Sequence, residues 1–250
     1  MGLRWGSRSN GRLYRLERDA QIRHHGAMKR TRLKRPLMLL LLALVIEATI
    51  SPTGAVDESR PALEVLGELQ VKGRAPKTGF DRSRFGSSWS DVDRNGCDTR
   101  NDILKRDLKT YIFQEESEGC VILRGTLVDD YSGTEIEFSR GRGSSALIQI
   151  DHVVALSNAW QTGAFRWSAE TRKRFANDPL NLKAVKGSLN SQKGDGDAAT
   201  WLPPNKSYRC QYIARQIAVK SRYALWVTQP EKSAMSQILK SCPEQLTPMQ

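Results

Sequence analysis

Asp151 and His152 stand side by side in the run Ile150-Asp151-His152-Val153-Val154. Asn181 follows in Leu180-Asn181-Leu182-Lys183, and Asn190 in Asn190-Ser191-Gln192-Lys193-Gly194-Asp195. His152 is the only histidine beyond residue 55, so it is the one imidazole there that could act as a general base near neutral pH. These residue types suit phosphodiester hydrolysis assisted by a single metal ion. Such a reaction needs a base to deprotonate water, a cation on the phosphate, ligands to hold that cation and a scaffold to fix them. Asp151 offers an oxygen of the kind Mg²⁺ prefers, and Asn190 offers a second. Side chains alternate along an extended chain, so Asp151 is expected to face the metal while His152 faces the water. Asn181 is placed to bond the backbone of the intervening loop and hold the base in position.

The elements that must position these residues can be read from periodicity and turn chemistry. Ala146–Ile150 reads as a strand delivering Asp151-His152 at its end, Leu180–Val185 as a short strand, and Ser188 onward as a helix. Between them lie a helical excursion near Ala159–Gly163 and a helix over Ser168–Phe175. Upstream, Asp102–Phe113 has helical spacing, and Val121–Leu127 and Thr134–Phe138 flank the turn-forming stretch Asp129–Gly133. Ser207–Trp226 reads as a long amphipathic helix and Gln229–Leu239 as a final one. Residues 56–80, with Pro61, Gly67, Gly73, Pro76 and Gly79, read as a linker holding one short helix over Ala62–Leu69.

The three chemical segments resemble the three parts of the HNH nuclease motif, which forms a ββα-metal fold. The chain is most similar to secreted HNH-family proteins of actinobacteria, related to the C-terminal domain of GmrSD-type restriction nucleases. The resemblance covers Asp151–Trp201, including Ala176-Asn177-Asp178-Pro179 and Thr200-Trp201-Leu202-Pro203-Pro204, and extends from about Phe85 to Cys242. It implies an α+β fold with an HNH ββα-metal core, additional strands and surrounding helices, over residues 81–245. It also implies that His152 is the general base, that Asp151 and Asn190 are metal ligands and that Asn181 is structural. The activity implied is a metal-dependent endonuclease acting on DNA, with RNA as the second candidate and little sequence preference. Asparagine rather than histidine at 190 favours Mg²⁺ or Mn²⁺ over Zn²⁺. A reading of another class is an exported module, nucleic-acid-binding or calcium-stabilised, without catalysis.

The first 55 residues differ from the rest. They hold 11 of the 39 basic residues and 3 of the 27 acidic ones, followed by the apolar run Leu37–Ile46 and small residues. A basic segment, a short apolar stretch and a small-residue tail describe a secretory signal. A bilayer span needs about 20 apolar residues; a retained signal anchor is the alternative. The mature protein is expected to be secreted, monomeric and without a membrane partner. Removing the leader lowers the net charge from +12 to +4, since 28 basic and 24 acidic residues remain. Overall basicity is therefore a weak argument for nucleic acid. Cys97, Cys120, Cys210 and Cys242 all follow the leader, and an even count in an exported chain reads as two disulfides. Pairing in order, Cys97–Cys120 and Cys210–Cys242, closes the shortest loops. A four-thiolate zinc site is the competing reading, without a close Cys-x-x-Cys pair to support it.

Among the remaining signals, Lys193 inside the motif helix is the better candidate for a phosphate contact. Arg100, Arg140, Arg209 and Lys220 are further nucleic-acid-binding candidates, against the reading of a solvated helix surface. Asp91-Val92-Asp93-Arg94-Asn95-Gly96 begins like an EF-hand loop with Asp102 at its twelfth position. Asp rather than Glu at that position, Asp98 where an apolar residue is usual and no evident helix before Asp91 favour a polar turn ending in the cap of the Asp102 helix over a calcium site. Trp89, Trp160, Trp167, Trp201 and Trp226 read as core residues rather than stacking platforms.

Overall fold

Leu108–Phe113, at the end of the segment with helical spacing, is a strand. A computed structural model describes residues 59–141 and 146–249, and the leader lies outside them. Helix α1 (Ala62–Glu68) comes first, and helix α2 (Thr99–Asp107) runs directly into β1 (Leu108–Phe113). The sequence Leu-Lys-Thr-Tyr-Ile-Phe is rich in β-branched and aromatic residues, and pairing with a neighbour overrides its helical spacing. Strands β1, β2 (Ile122–Asp129) and β3 (Thr134–Ser139) form an antiparallel sheet in that order.

A second, two-stranded antiparallel sheet joins β4 (Ile148–His152) to β5 (Leu182–Lys186), with Asp151 opposite Lys183 and His152 opposite Leu182. Helices α3 (Leu156–Gln161) and α4 (Ala169–Ala176) fill the connection between its strands. Helix α5 (Gly187–Lys193) starts at the residue after β5 ends. Gly187 makes that abrupt join possible, since a Cβ there would lie 2.0 Å from the Ala146 carbonyl. Helices α6 (Arg209–Arg222) and α7 (Gln229–Leu239) complete the described chain. The architecture mixes helix and sheet.

Helix α6 is the central support. Tyr212, Ile213, Ala214 and Ile217 pack with Tyr131, Val153 and Val185 on one side, while Val219 joins Phe85, Trp160 and Phe175. Each buried Val, Ile or Phe side chain among them contributes about 1.5–3 kcal/mol. A third apolar cluster, with Ile103, Leu104, Ile148, Ile150 and Leu182, lies between α2 and the two sheets. Ala62, Val65 and Leu66 of α1 are buried in the α6–α7 cluster, so this part of the segment read as a linker belongs to the core. Arg74 and Lys77 pin the following stretch by ion pairs to Asp197 at 2.6 Å and Asp195 at 3.0 Å. The two ends of the described chain meet. Pro61 bridges Leu246 in antiparallel fashion, and Ala62 N–H donates to the Gln245 carbonyl at 2.8 Å. Thr247 N–H donates to the Arg60 carbonyl at 2.8 Å.

Two disulfides join Cys97 to Cys120 and Cys210 to Cys242, the sequence-order pairing. With all four cysteines paired there is no thiolate for a zinc site.

Candidate active site

Strand β4 sends its last two side chains to opposite faces of the small sheet, and the two faces differ. On the α5 side, Asp151 is 3% exposed. Its Oδ1 accepts from Lys193 Nζ at 2.8 Å and its Oδ2 from the Tyr131 hydroxyl at 2.6 Å. Lys193 Nζ also donates to the His152 carbonyl at 2.8 Å. Burial and the neighbouring Asp151 charge hold the Tyr131 pKa well above its ordinary value, so Tyr131 stays a donor. Asn190, one turn before Lys193, donates through Nδ2 to Gln149 Oε1 at 2.8 Å.

His152 faces the other way. Its imidazole is half-buried and lies parallel to the Trp89 indole, with centroids 6.1 Å apart and planes at 11°. Nε2 is 2.8 Å from the Ala176 carbonyl. A carbonyl can only accept, so Nε2 carries the proton and Nδ1 of the neutral ring carries the lone pair. Burial lowers the His152 pKa from 6.5 to about 4; the Ala176 bond opposes this, and the Arg82 and Lys193 charges add to it. The ring is half-buried by area, yet Trp89 and the end of α4 enclose it closely enough for desolvation to dominate. At neutral pH it is an uncharged imidazole with its basic nitrogen free of the carbonyl.

Asn181 fixes the chain that leaves the strand. Its Oδ1 accepts from Val154 N–H at 2.8 Å, its Nδ2 donates to the Val154 carbonyl at 3.3 Å, and it is fully buried. The Asn181 carbonyl accepts from Val153 N–H at 2.8 Å. These bonds tie the exit of β4 to the entry of β5.

A cleft of about 350 Å³ opens over His152. The short 3-10 turn Arg82–Phe85 and the segment through Trp89 form one wall, with His152, Leu156, Ala176 and Asn177 forming the other. Asp81 caps the turn by accepting from Ser83 N–H, which leaves Arg82 exposed at the cleft. Lys173 of α4 lies against Gly86 at the lip, and Arg172 Nε donates to the Arg84 carbonyl at 2.9 Å. Arg82 is the charged residue of the lining.

Several expected roles change in the structure. Lys193 and Lys220, expected at phosphate, are buried in ion pairs within the protein. The Lys193 side chain is 0% exposed in its pair with Asp151. The Lys220 side chain is 1% exposed, 2.9 Å from the Glu231 carboxylate, and it donates to Asn158 Oδ1 at 3.1 Å. Arg209 spends its Nε on the Pro203 carbonyl. Arg140 bonds the Ile122 carbonyl and Asn101 Oδ1, and Arg100 bonds the Ile148 carbonyl. These three arginines tie loops and strands together at the surface. Burial and the nearby Arg140 push the Arg100 pKa down.

The donor set does not fit a resident divalent ion at Asp151. Both carboxylate oxygens are bonded within the protein, one of them to an ammonium that would repel a metal, and the group is buried. Among the described residues no three His, Cys, Asp or Glu side chains are grouped for a metal. In the EF-hand-like loop the polar atoms satisfy one another. Asp91 accepts from Arg94 and Gly96 N–H, and Asn95 Nδ2 donates to Asp93 and Asp102. Asp98 caps α2 by accepting from Asn101 N–H. Trp89, Arg82 and Tyr131 are the site residues that sequence reasoning missed. Trp89 reads as one core aromatic among several, and Tyr131 as part of a polar turn.

Residues 98–238 match the family described as GmrSD restriction endonucleases, C-terminal domain. The chain belongs to this GmrSD C-terminal family. An "Uncharacterized secreted protein" of Arthroderma benhamiae (strain ATCC MYA-4681 / CBS 112371) is 34% identical over 215 residues, covering 84% of this chain and all of that protein. That relative is fungal, so the comparison supports the GmrSD C-terminal family and secretion but not an actinobacterial grouping. No solved structure matches. The protein is exported, and no helix among the described residues is long and apolar enough to cross a membrane. As a GmrSD C-terminal domain it is related to nucleases, whose substrate is nucleic acid.

Proposed function

We propose that the protein is an exported endonuclease of the HNH type that hydrolyses phosphodiester bonds in DNA, with His152 as general base. The order β4, β5, α5, with Asp151-His152 ending β4 and Asn190 on α5, supports the ββα reading. One observation carries the catalytic assignment: a neutral imidazole is held by a carbonyl at Nε2, with no hydrogen bond to Nδ1 among the described residues, and it lines a cleft together with Arg82.

In this mechanism His152 Nδ1 takes a proton from water as the water oxygen bonds to phosphorus. The bond from phosphorus to the leaving sugar oxygen breaks, and that oxygen takes up a proton from solvent. General base catalysis of this kind contributes about 10²–10⁴ in rate. Arg82, exposed at the cleft, is the protein cation placed to meet the developing negative charge. No step is assigned to Mg²⁺ or Mn²⁺, because Asp151 is already committed to Lys193 and Tyr131.

The test is nicking of supercoiled plasmid by the oxidised mature protein, in EDTA and in added Mg²⁺. Cleavage by wild type that His152→Ala abolishes supports the assignment. Equal cleavage by His152→Ala removes it. Cleavage that EDTA blocks and Mg²⁺ restores would return Asp151 and Asn190 to the ligand roles that the HNH resemblance implies, with Lys193 displaced. Retardation of DNA without cleavage would favour the binding-module reading instead.

A further inference from the structure

The cleft over His152 has a shape and chemistry that a base alone does not require. Its volume, about 350 Å³, lies at the small end of ligand-binding pockets, which run from about 300 to 1,000 Å³. It is lined by Arg82 and three serines (Ser83, Ser87, Ser88), with Phe85 and Trp89 as its aromatic residues beside His152. Trp89 is presented from a backbone φ of +57°, in the left-handed region that a bulky residue rarely adopts. The half-buried indole packs against the third apolar cluster and also lies parallel to the His152 ring. Because the two rings are parallel within 11°, a planar group laid against Trp89 also lies parallel to the imidazole.

A flat aromatic face, a nearby guanidinium and serines make a site for a planar heterocycle carrying a phosphate. We propose that the cleft admits one unstacked nucleotide, with its base against Trp89 and its phosphate toward Arg82 and His152, so that the protein acts on single-stranded or locally melted nucleic acid in preference to intact duplex. The chemistry in this proposal rests on the endonuclease reading; the binding does not. In a duplex each base is stacked and paired, and bringing one into the cleft requires breaking that stack. A single strand carries no such cost, and a base stacked on an aromatic side chain is held irrespective of its identity. Trp89 is then the specificity-determining residue.

The experiment compares Trp89→Phe, which keeps a flat aromatic face, with Trp89→Leu, which keeps apolar bulk without one. Thermal melting checks that both fold, and the pair remains informative because both retain packing at this position. Affinity is measured by fluorescence anisotropy with a fluorescein-labelled phosphorothioate oligodeoxynucleotide, single-stranded and annealed to its complement. Cleavage of the same sequences with ordinary phosphodiesters is followed in parallel. Wild type should bind the single strand about tenfold or more tightly than the duplex. Trp89→Leu should lose about tenfold on the single strand alone, and Trp89→Phe should retain most of the affinity. Equal affinity of wild type for the two forms, or an equal loss on both in Trp89→Leu, overturns the proposal. His152-dependent cleavage of both forms without any dependence on Trp89 overturns it while leaving the endonuclease reading in place. Trp89-dependent binding of the single strand with no cleavage by wild type sinks the endonuclease reading and leaves the cleft assignment standing.

Discussion

Asp151 and His152 are neighbours in sequence and opposites in environment. Asp151 is closed in by a buried ammonium and a buried phenol and is 3% exposed. His152, one residue on, has a single hydrogen-bonded nitrogen and opens into a cleft. The difference shows how a strand end can separate two duties that one site is often asked to combine. One face anchors the backbone, since Lys193 ties the Asp151 carboxylate to the His152 carbonyl. The other face presents the reactive group. A charged cluster in the interior costs desolvation and holds geometry, whereas a base must keep a lone pair within reach of solvent and substrate.

Removing the base should give the largest effect. His152→Ala is expected to lower plasmid nicking by about 10²–10⁴ while leaving the thermal midpoint nearly unchanged; a loss of folding instead would mean that the ring is structural. Breaking the anchored face should do the reverse. Lys193→Met strands the buried Asp151 charge and is expected to destabilise the fold by about 3–5 kcal/mol, read from urea denaturation. A value typical of a surface change would show that the closed face does not anchor the strand.

Acid separates the two faces more gently. The folded state refuses on His152 a proton that the unfolded chain accepts, since its pKa falls from 6.5 to about 4. The neutral-ring contribution is therefore complete above pH 6.5 and is lost as pH falls toward 4. His152→Gln should flatten that part of the stability profile relative to wild type, and the acid limb of wild-type kcat/KM should lie near pH 4. An acid limb near 6.5 would mean that burial does not depress the ring. The smallest effect is expected from Arg82→Ala, a cleavage loss of about tenfold or less with a shallower salt dependence; an unchanged salt profile would place the phosphate elsewhere.

Much of this contrast was legible before the structure. The alternation of extended chain separates Asp151 from His152, and the order of strand, strand and helix follows from the patterning of Ala146–Ile150, Leu180–Val185 and the segment from Ser188 onward. What the alternation could not say is which side is closed. Lys193 lies three residues after Asn190, and residues at that spacing share a helix face. If Asn190 faces β4, Lys193 must do so too, which is the signal that would have moved it from phosphate contact to buried partner. Tyr131 gives no such signal, because its local sequence reads as a polar turn and its burial depends on α6 lying across it. The strand at Leu108–Phe113 is hidden in the sequence because a short apolar segment satisfies both periods until a pairing partner decides. Trp89 packs against the third apolar cluster, as the core reading expects, and nothing in its local sequence signals that it also lies parallel to the His152 ring and lines the cleft.

The meeting of the two ends has a mechanical consequence. Pro61 and Leu246 pair in antiparallel fashion, so residues 59 and 249 lie toward the same side of the bridge. A pull between residues 59 and 249 therefore peels its hydrogen bonds one after another instead of shearing them together. The clasp yields first, and the load reaches neither the Lys193 anchor nor the cleft until it has opened. A molecule tethered by both ends should keep its small sheet intact at forces that have already separated Arg60 from Thr247.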